Sequence, residues 1–151
     1  EENNVKLIVA GEYYNNEEQY TEQIKRLKLE NEVILRNDFI PNKEVKNYFR
    51  VADIIAQPYK NATQSGVTQI GYHFEKPMLV TNVGGLAELI PHNKVGYVVE
   101  PNSQAIADAL VSFFKDNKKE EFEQNVKLEK EKFSWKKMVD TINTLADDIQ
   151  K

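Results

Sequence analysis

The sequence predicts an α/β fold, a three-layer sandwich in which a parallel sheet of about five strands is covered by helices on both faces. Two observations carry this. Short β-branched runs alternate regularly with segments of helical period, and the strand runs are continuously apolar rather than alternating, the pattern of strands buried on both sides. Val5 to Ala10 ("VKLIVA") is a short run closed by Gly11 and reads as a buried first strand. Residues 16–30 place Tyr20, Ile24 and Leu27 on one helical face, with Glu17 and Glu18 at the end that the helix dipole favours. Val33 to Leu35 is the second strand. Pro41 then breaks the chain, Asn42 is the expected N-cap, and Val45, Tyr48, Phe49 and Ala52 line a second helix.

Asp53 to Pro58 reads as the third strand, and the third helix carries Val67, Ile70, Gly71 and Phe74 on one side. Pro77 to Thr81 is strand four, Leu86 to Leu89 a brief helical turn, and Gly96 to Glu100 strand five. Two or three helices finish the chain. One has an apolar face of Ile106, Leu110, Phe113 and Phe114; another has Trp135, Met138, Val139, Ile142 and Leu145. The run from Lys115 to Lys132 mixes charges at helical spacing and reads as a solvated helix face.

At 151 residues the chain is long enough for one domain with its own core, and 40% hydrophobic with 29% charged residues is the composition of a soluble globular protein. A net charge of −4 without a basic stripe argues against nucleic acid as a partner. The absence of cysteine removes disulfides, thiolate catalysis and Cys-ligated zinc, and fits a reducing compartment. No apolar run is long enough for a membrane span. The opening Glu-Glu-Asn-Asn, without methionine and almost directly ahead of a strand, leads to the expectation of a fragment from a longer parent.

In an open parallel sheet, ligands sit beyond the carboxyl ends of the strands. That rule selects Gly11-Glu12, Asn37 to Pro41, Tyr59 to Gly66 and Asn82 to Gly85. The dinucleotide fingerprint and the Gly-Lys-Ser/Thr triphosphate loop are both missing. Within Thr63-Gln-Ser-Gly66, Ser65 can cap the following helix and Gly66 lets an anion approach the backbone, so the first-turn N–H groups and the dipole favour a negative ligand. An ordinary capped helix start explains the same residues, and both readings stand at this point. His73 and His92 lack companions at metal-ligand spacing, so no metal site is expected.

Four segments in this order, "VILRNDFIPNKEVKNYFRVADIIAQPY", "QSGVTQIGYHFEKPMLVTNVGGLAELI", "VGYVVEP" and "FSWKKMVDTINTL", resemble the C-terminal lobe of retaining glycosyltransferases of the GT-B type, family four, also called group 1. The resemblance implies a Rossmann-like lobe of a GT-B fold. It implies a domain covering 1–151, truncated at its N-terminus, that binds a UDP- or GDP-linked sugar as donor without metal or other cofactor, with residues 134–151 forming a helix directed to an absent lobe. By position, the diphosphate and sugar fall to Thr63, Gln64, Ser65, Gly66 and Val67, and the ribose to Gln69. The base falls to Asn37, Phe39 and Ile40. Gly84 and Gly85 belong to a segment packed beneath the donor, with Glu88 bracing that turn.

The chain departs from the family in lacking its two glutamates, which map near Ala62 or Thr63 and near Ile70 or Gly71. No catalytic residue is therefore assigned. The resemblance implies that the parent is a hexosyltransferase of polysaccharide biosynthesis, cytoplasmic or at the inner face of a membrane, whose acceptor is bound by the missing lobe. It implies too that this fragment is inactive alone. The alternative is a non-catalytic nucleotide-sugar-binding or interaction module that has lost the glutamates.

Overall fold

The computed structural model describes residues 5–13 and 17–149. The chain divides into two compact units, Glu1–Lys46 and Asn47–Lys151. In the first unit, β1 (Leu7–Ala10) and β2 (Val33–Arg36) pair in parallel, Leu7 opposite Val33 through Ala10 opposite Arg36. They flank α1 (Glu17–Arg26), whose acidic first turn and basic last turn complement its dipole. Tyr20 stacks on Tyr13 with ring centroids 5.4 Å apart. The helix stops before Leu27, because Lys28 takes a left-handed φ of 56° and Leu27 is left half exposed.

The second unit is entered along α2 (Asn42–Val51), in which Asn42 is the first helical residue rather than the cap: the Pro41 carbonyl accepts the Glu44 N–H at 2.8 Å. Then follow β3 (Ile55–Gln57), α3 (Gly66–His73), β4 (Met78–Thr81), the single turn α4 (Leu86–Leu89) and β5 (Gly96–Val99). Helices α5 (Ser103–Lys115) and α6 (Lys119–Glu129), a 3-10 turn (Lys130–Phe133) and α7 (Trp135–Ile149) complete the chain. The three strands form one parallel ladder in the order β3-β4-β5.

Two sequence expectations need correction. Among the described residues the five strands form two parallel hydrogen-bonded ladders, β1-β2 and β3-β4-β5, instead of one sheet of five. In addition β1 is not buried. Leu7, Ile8 and Val9 are all exposed, so the continuous apolar run marks strand propensity there and not enclosure.

The two-sided burial expected from sequence holds for the central strand of the second unit. Every residue of β4 is buried. Met78 and Val80 face a cluster with Tyr72, Leu86, Ile90, Val95 and Val126, while Leu79 faces Tyr97, Phe113 and Phe122 on the other side. The predicted face of α5 is confirmed, since Ile106, Leu110 and Phe114 pack around Phe113. Helix α6 is solvated on one side only: Phe122 and Val126, one helical turn apart, enter the two clusters.

Glu129 ends α6 almost fully buried and accepts hydrogen bonds from Lys132 and, at 2.8 Å, from Lys94. These two ammonium groups hold its carboxyl below the ordinary carboxylate range, Lys132 contributing most. A carboxyl that titrates lower in the folded than in the unfolded chain contributes its full stabilisation above the unfolded value, about 4.3. That contribution is lost as pH falls through the folded value. Thermal melts against pH should therefore decline on the acid side, and Glu129→Gln should flatten that decline while lowering the Tm at neutral pH.

Candidate functional site

The site predicted at the start of α3 is built from three chain segments of the second unit. Strand β3 ends at Gln57, and the loop from Pro58 runs to Ser65. Ser65 is extended, with φ −138° and ψ 125°, and its Oγ accepts the Val67 N–H at 3.2 Å, so it is the N-cap that the sequence indicated. The Tyr59 hydroxyl lies 3.4 Å from the same Oγ. One of the first-turn amides is thus already satisfied by the cap, though through a long bond.

Gly66 is exposed, and a Cβ built on it would meet no atom within 4 Å. The fold does not demand glycine there; its absence of a side chain leaves bare backbone facing open space at the positive end of a two-turn helix. Thr63, Gln64 and Gln69 are exposed too, and Val67 is half-buried.

The second segment, Gly84-Gly85, lies directly against this loop. The Gly85 N–H donates to the Thr63 carbonyl at 2.9 Å. Gly84 has a left-handed φ of 52°, and a Cβ there would stand 1.8 Å from the Ala62 carbonyl oxygen. Glu88 is exposed on α4. What ties that turn to the core is Tyr72, whose hydroxyl donates to the Leu89 carbonyl at 2.5 Å. Burial pushes this hydroxyl's pKa up, keeping it a neutral donor.

The third segment was not foreseen. Beneath the loop lies a buried polar group: Gln57 Oε1 accepts from the Thr68 hydroxyl at 3.2 Å, and the Thr81 hydroxyl donates to the Tyr59 carbonyl at 2.6 Å. Gln57 and Thr68 are both buried, and the Gln57 Nε2 has no partner among the described residues. The only sequence signal was a glutamine ending an otherwise apolar run.

The candidate base-contacting residues belong to the first unit, in the loop leaving β2. Asn37 Nδ2 donates a short hydrogen bond to Glu17, Phe39 is 68% exposed, and Ile40 is half-buried. Two concavities of the second unit include Gln69. One of about 270 Å³ is lined by Tyr72, His73, Lys130 and Phe133, and one of about 460 Å³ by Lys132, Phe133, Lys137, Met138 and Ile142. Among the described residues no group of three or more His, Cys, Asp or Glu is placed to hold a metal ion, and no helix is long and apolar enough to cross a membrane. His92 is engaged internally, its Nδ1 accepting the Val98 N–H at 3.0 Å.

Solved structures similar to this chain include glycosyltransferases. Alr3699/HepE from Anabaena, in complex with UDP, is 22% identical and superposes with a TM-score of 0.80 over 97% of this chain and 42% of its own. Sucrose-phosphate synthase from Thermosynechococcus elongatus is 16% identical, with a TM-score of 0.75 over 95% of this chain and 37% of its own. The C-terminal domain of a glycosyl transferase group 1 family protein (LpcC) from Francisella tularensis is 23% identical, with a TM-score of 0.67 over 75% of this chain and 59% of the domain chain. The chain therefore spans about two fifths of the length of the first two, and its fold is that of a Rossmann-like lobe of the GT-B type. A comparison with curated proteins finds no match. Residues 1–135 match the family of glycosyl transferases group 1. On that match, which covers most of its length, the chain belongs to the glycosyl transferases group 1 family.

Proposed function

We propose that the chain is the donor-binding lobe of a retaining glycosyltransferase that transfers a hexose from a UDP- or GDP-sugar to a glycan or lipid acceptor. The observation that carries this is the capped, side-chain-free start of α3, where exposed backbone at Gly66 faces open space. A diphosphate placed there meets the N–H groups of Ser65, Gly66 and Val67 and the positive end of the helix dipole. The Val67 N–H exchanges its long bond to Ser65 Oγ for a phosphate oxygen. As the bond from sugar to diphosphate breaks, negative charge grows on the leaving group, and donors already oriented stabilise it without reorganisation. No charged side chain is needed for that task.

Thr63 and Gln64, both exposed, are assigned to the sugar through their hydroxyl and amide groups, and Gln69, offering both a donor and an acceptor, to the ribose. Neutral groups in place of carboxylates make weaker bonds to hydroxyls. Asn37, Phe39 and Ile40 carry the base in the same proposal. Three hydrogen bonds to a charged phosphate contribute about 1.5–3 kcal/mol each, against an association cost of roughly 4–15 kcal/mol. Weak donor binding and no turnover by the chain alone follow. A parent of polysaccharide biosynthesis, cytoplasmic or at the inner face of a membrane, an acceptor held by another lobe, and a C-terminal helix from residue 134, carrying Trp135 and Met138, that is directed to that lobe belong to the same reading.

Titration of the chain with UDP, a UDP-sugar and a GDP-sugar, followed by amide NMR, tests it. Shifts are expected at residues 63–69 and 37–41 at millimolar ligand, and Gln69→Ala should weaken UDP while leaving inorganic pyrophosphate unaffected. No shift at millimolar ligand, or turnover by this chain at an enzyme's rate, overturns the proposal. The missing glutamates favour a second reading, a non-catalytic binding module. It is distinguished by a parent protein that binds donor but neither transfers nor hydrolyses it.

A further inference from the structure

The backbone of Tyr59 is held at two points: its N–H donates to the Gln57 carbonyl at 2.9 Å, and its own carbonyl accepts from the Thr81 hydroxyl at 2.6 Å. Gln57 is 2% exposed and Thr81 is fully buried. The side chain of Gln57 meanwhile accepts from the hydroxyl of Thr68, in the first turn of α3, at 3.2 Å. One buried residue anchors both sides of the entrance to α3, the tyrosine through its main chain and the helix through its amide. Its Nε2 is left without a partner among the described residues. An apolar residue in its place would avoid that desolvation cost, so the amide is there for what it holds.

The Tyr59 hydroxyl, by contrast, is only loosely engaged. Its contact with Ser65 Oγ, at 3.4 Å, is longer than an ordinary O–H···O hydrogen bond, and the residue is 36% exposed. The same Oγ accepts the Val67 N–H at 3.2 Å, so phenol and amide converge on one point. A phosphate oxygen that takes the place of the serine oxygen on Val67 stands beside a second donor, and a hydrogen bond to an ionised acceptor is among the strong ones. No side chain from Asn61 to Phe74 carries a full charge, apart from what His73 acquires on protonation. A side-chain donor at this point is therefore a neutral one. We propose that the Tyr59 hydroxyl is a ligand of the diphosphate, donating to the phosphate oxygen held by the Val67 N–H. This rests on the donor-site reading given above and adds to it a residue whose side chain touches the ligand.

Tyr59→Phe removes the hydroxyl and keeps the ring. The full chain and this variant are titrated with UDP, inorganic pyrophosphate and uridine, followed by amide NMR, and their thermal melts are compared. The substitution should weaken UDP and pyrophosphate alike, by about tenfold, the low end for a hydrogen bond to a charged group. Uridine binding and the Tm should stay as they were. In the unsubstituted chain the ring signals of Tyr59, assigned through its backbone, should move with pyrophosphate and not with uridine. Equal pyrophosphate affinity in the two chains, or ring signals that pyrophosphate leaves in place, overturns the proposal. So does a weakening that comes only with a lowered Tm, which would assign Tyr59 to support of the loop. If the unsubstituted chain responds to neither UDP nor pyrophosphate, the donor-site reading fails and this proposal with it; if it responds and Tyr59→Phe responds equally, this proposal fails alone.

Discussion

Gly84→Ala is expected to destabilise the second unit by about 2–6 kcal/mol and to abolish the UDP-induced shifts at residues 63–69, combining left-handed strain of roughly 1–3 kcal/mol with overpacking of similar size. The φ of 52° is one that a residue with a Cβ adopts at a cost, and the new atom would stand 1.8 Å from the Ala62 oxygen and 2.8 Å from its carbonyl carbon. Both obstacles are backbone, so no rotamer change relieves them. The Ala62 to Gln64 loop must move, and with it the carbonyl that accepts the Gly85 N–H. Gly66→Ala supplies the contrast: with nothing within 4 Å of the added methyl, stability should change by no more than the few tenths of a kcal/mol usual for surface substitutions. Under the proposed donor site its UDP affinity should nevertheless fall, because the methyl would occupy the space assigned to the phosphate. Urea denaturation followed by circular dichroism, with amide NMR of the ligand response, separates the two glycines. A Gly84→Ala chain as stable as the unsubstituted one would refute the steric account.

Phe113→Ala should cost about 3–5 kcal/mol, the range for removing a large aromatic ring from a closed core. Phe113 is 1% exposed and lies between rings, with centroids 5.1 Å from Phe114 and 6.1 Å from Phe122, against Leu79 of the central strand. These neighbours come from α5, α6 and β4, so collapse into the cavity would require shifts in three elements. At the lower end of a typical domain stability of about 5–15 kcal/mol, such a loss leaves little reserve. Trp135→Ala, although it removes a larger ring, should change the urea midpoint hardly at all, since Trp135 is 79% exposed. Equal effects for the two would mean that α7 packs elsewhere in solution.

Element order and type were legible because the strands and most helices are locally consistent: Ser65 before Gly66, apolar spacing along α5, and continuous apolar runs for β4 and β5 all point one way. The errors lie where burial is not a local property. Leu7 to Val9 have the same composition as a buried strand and are exposed, and Asn42 lost its expected capping position because the Pro41 carbonyl opens the helix. For the candidate site, the capped start of α3 could be read from Ser65-Gly66. The support could not. Gln57, Thr68 and Thr81 are separated by up to 24 residues and share hydrogen bonds only once β3, α3 and β4 are side by side.

The hydrogen bonds from Gly85 to the Thr63 carbonyl and from Thr81 to the Tyr59 carbonyl also have a kinetic meaning. They fix the loop ahead of α3 at both of its ends during folding, so its conformational entropy is surrendered before any ligand arrives. On the proposed donor-site reading, a phosphate would then meet a finished surface with no closing step between encounter and complex. Weak affinity at the α3 loop would come from rapid departure, and the amide signals of residues 63–69 should move continuously through a titration instead of vanishing and reappearing.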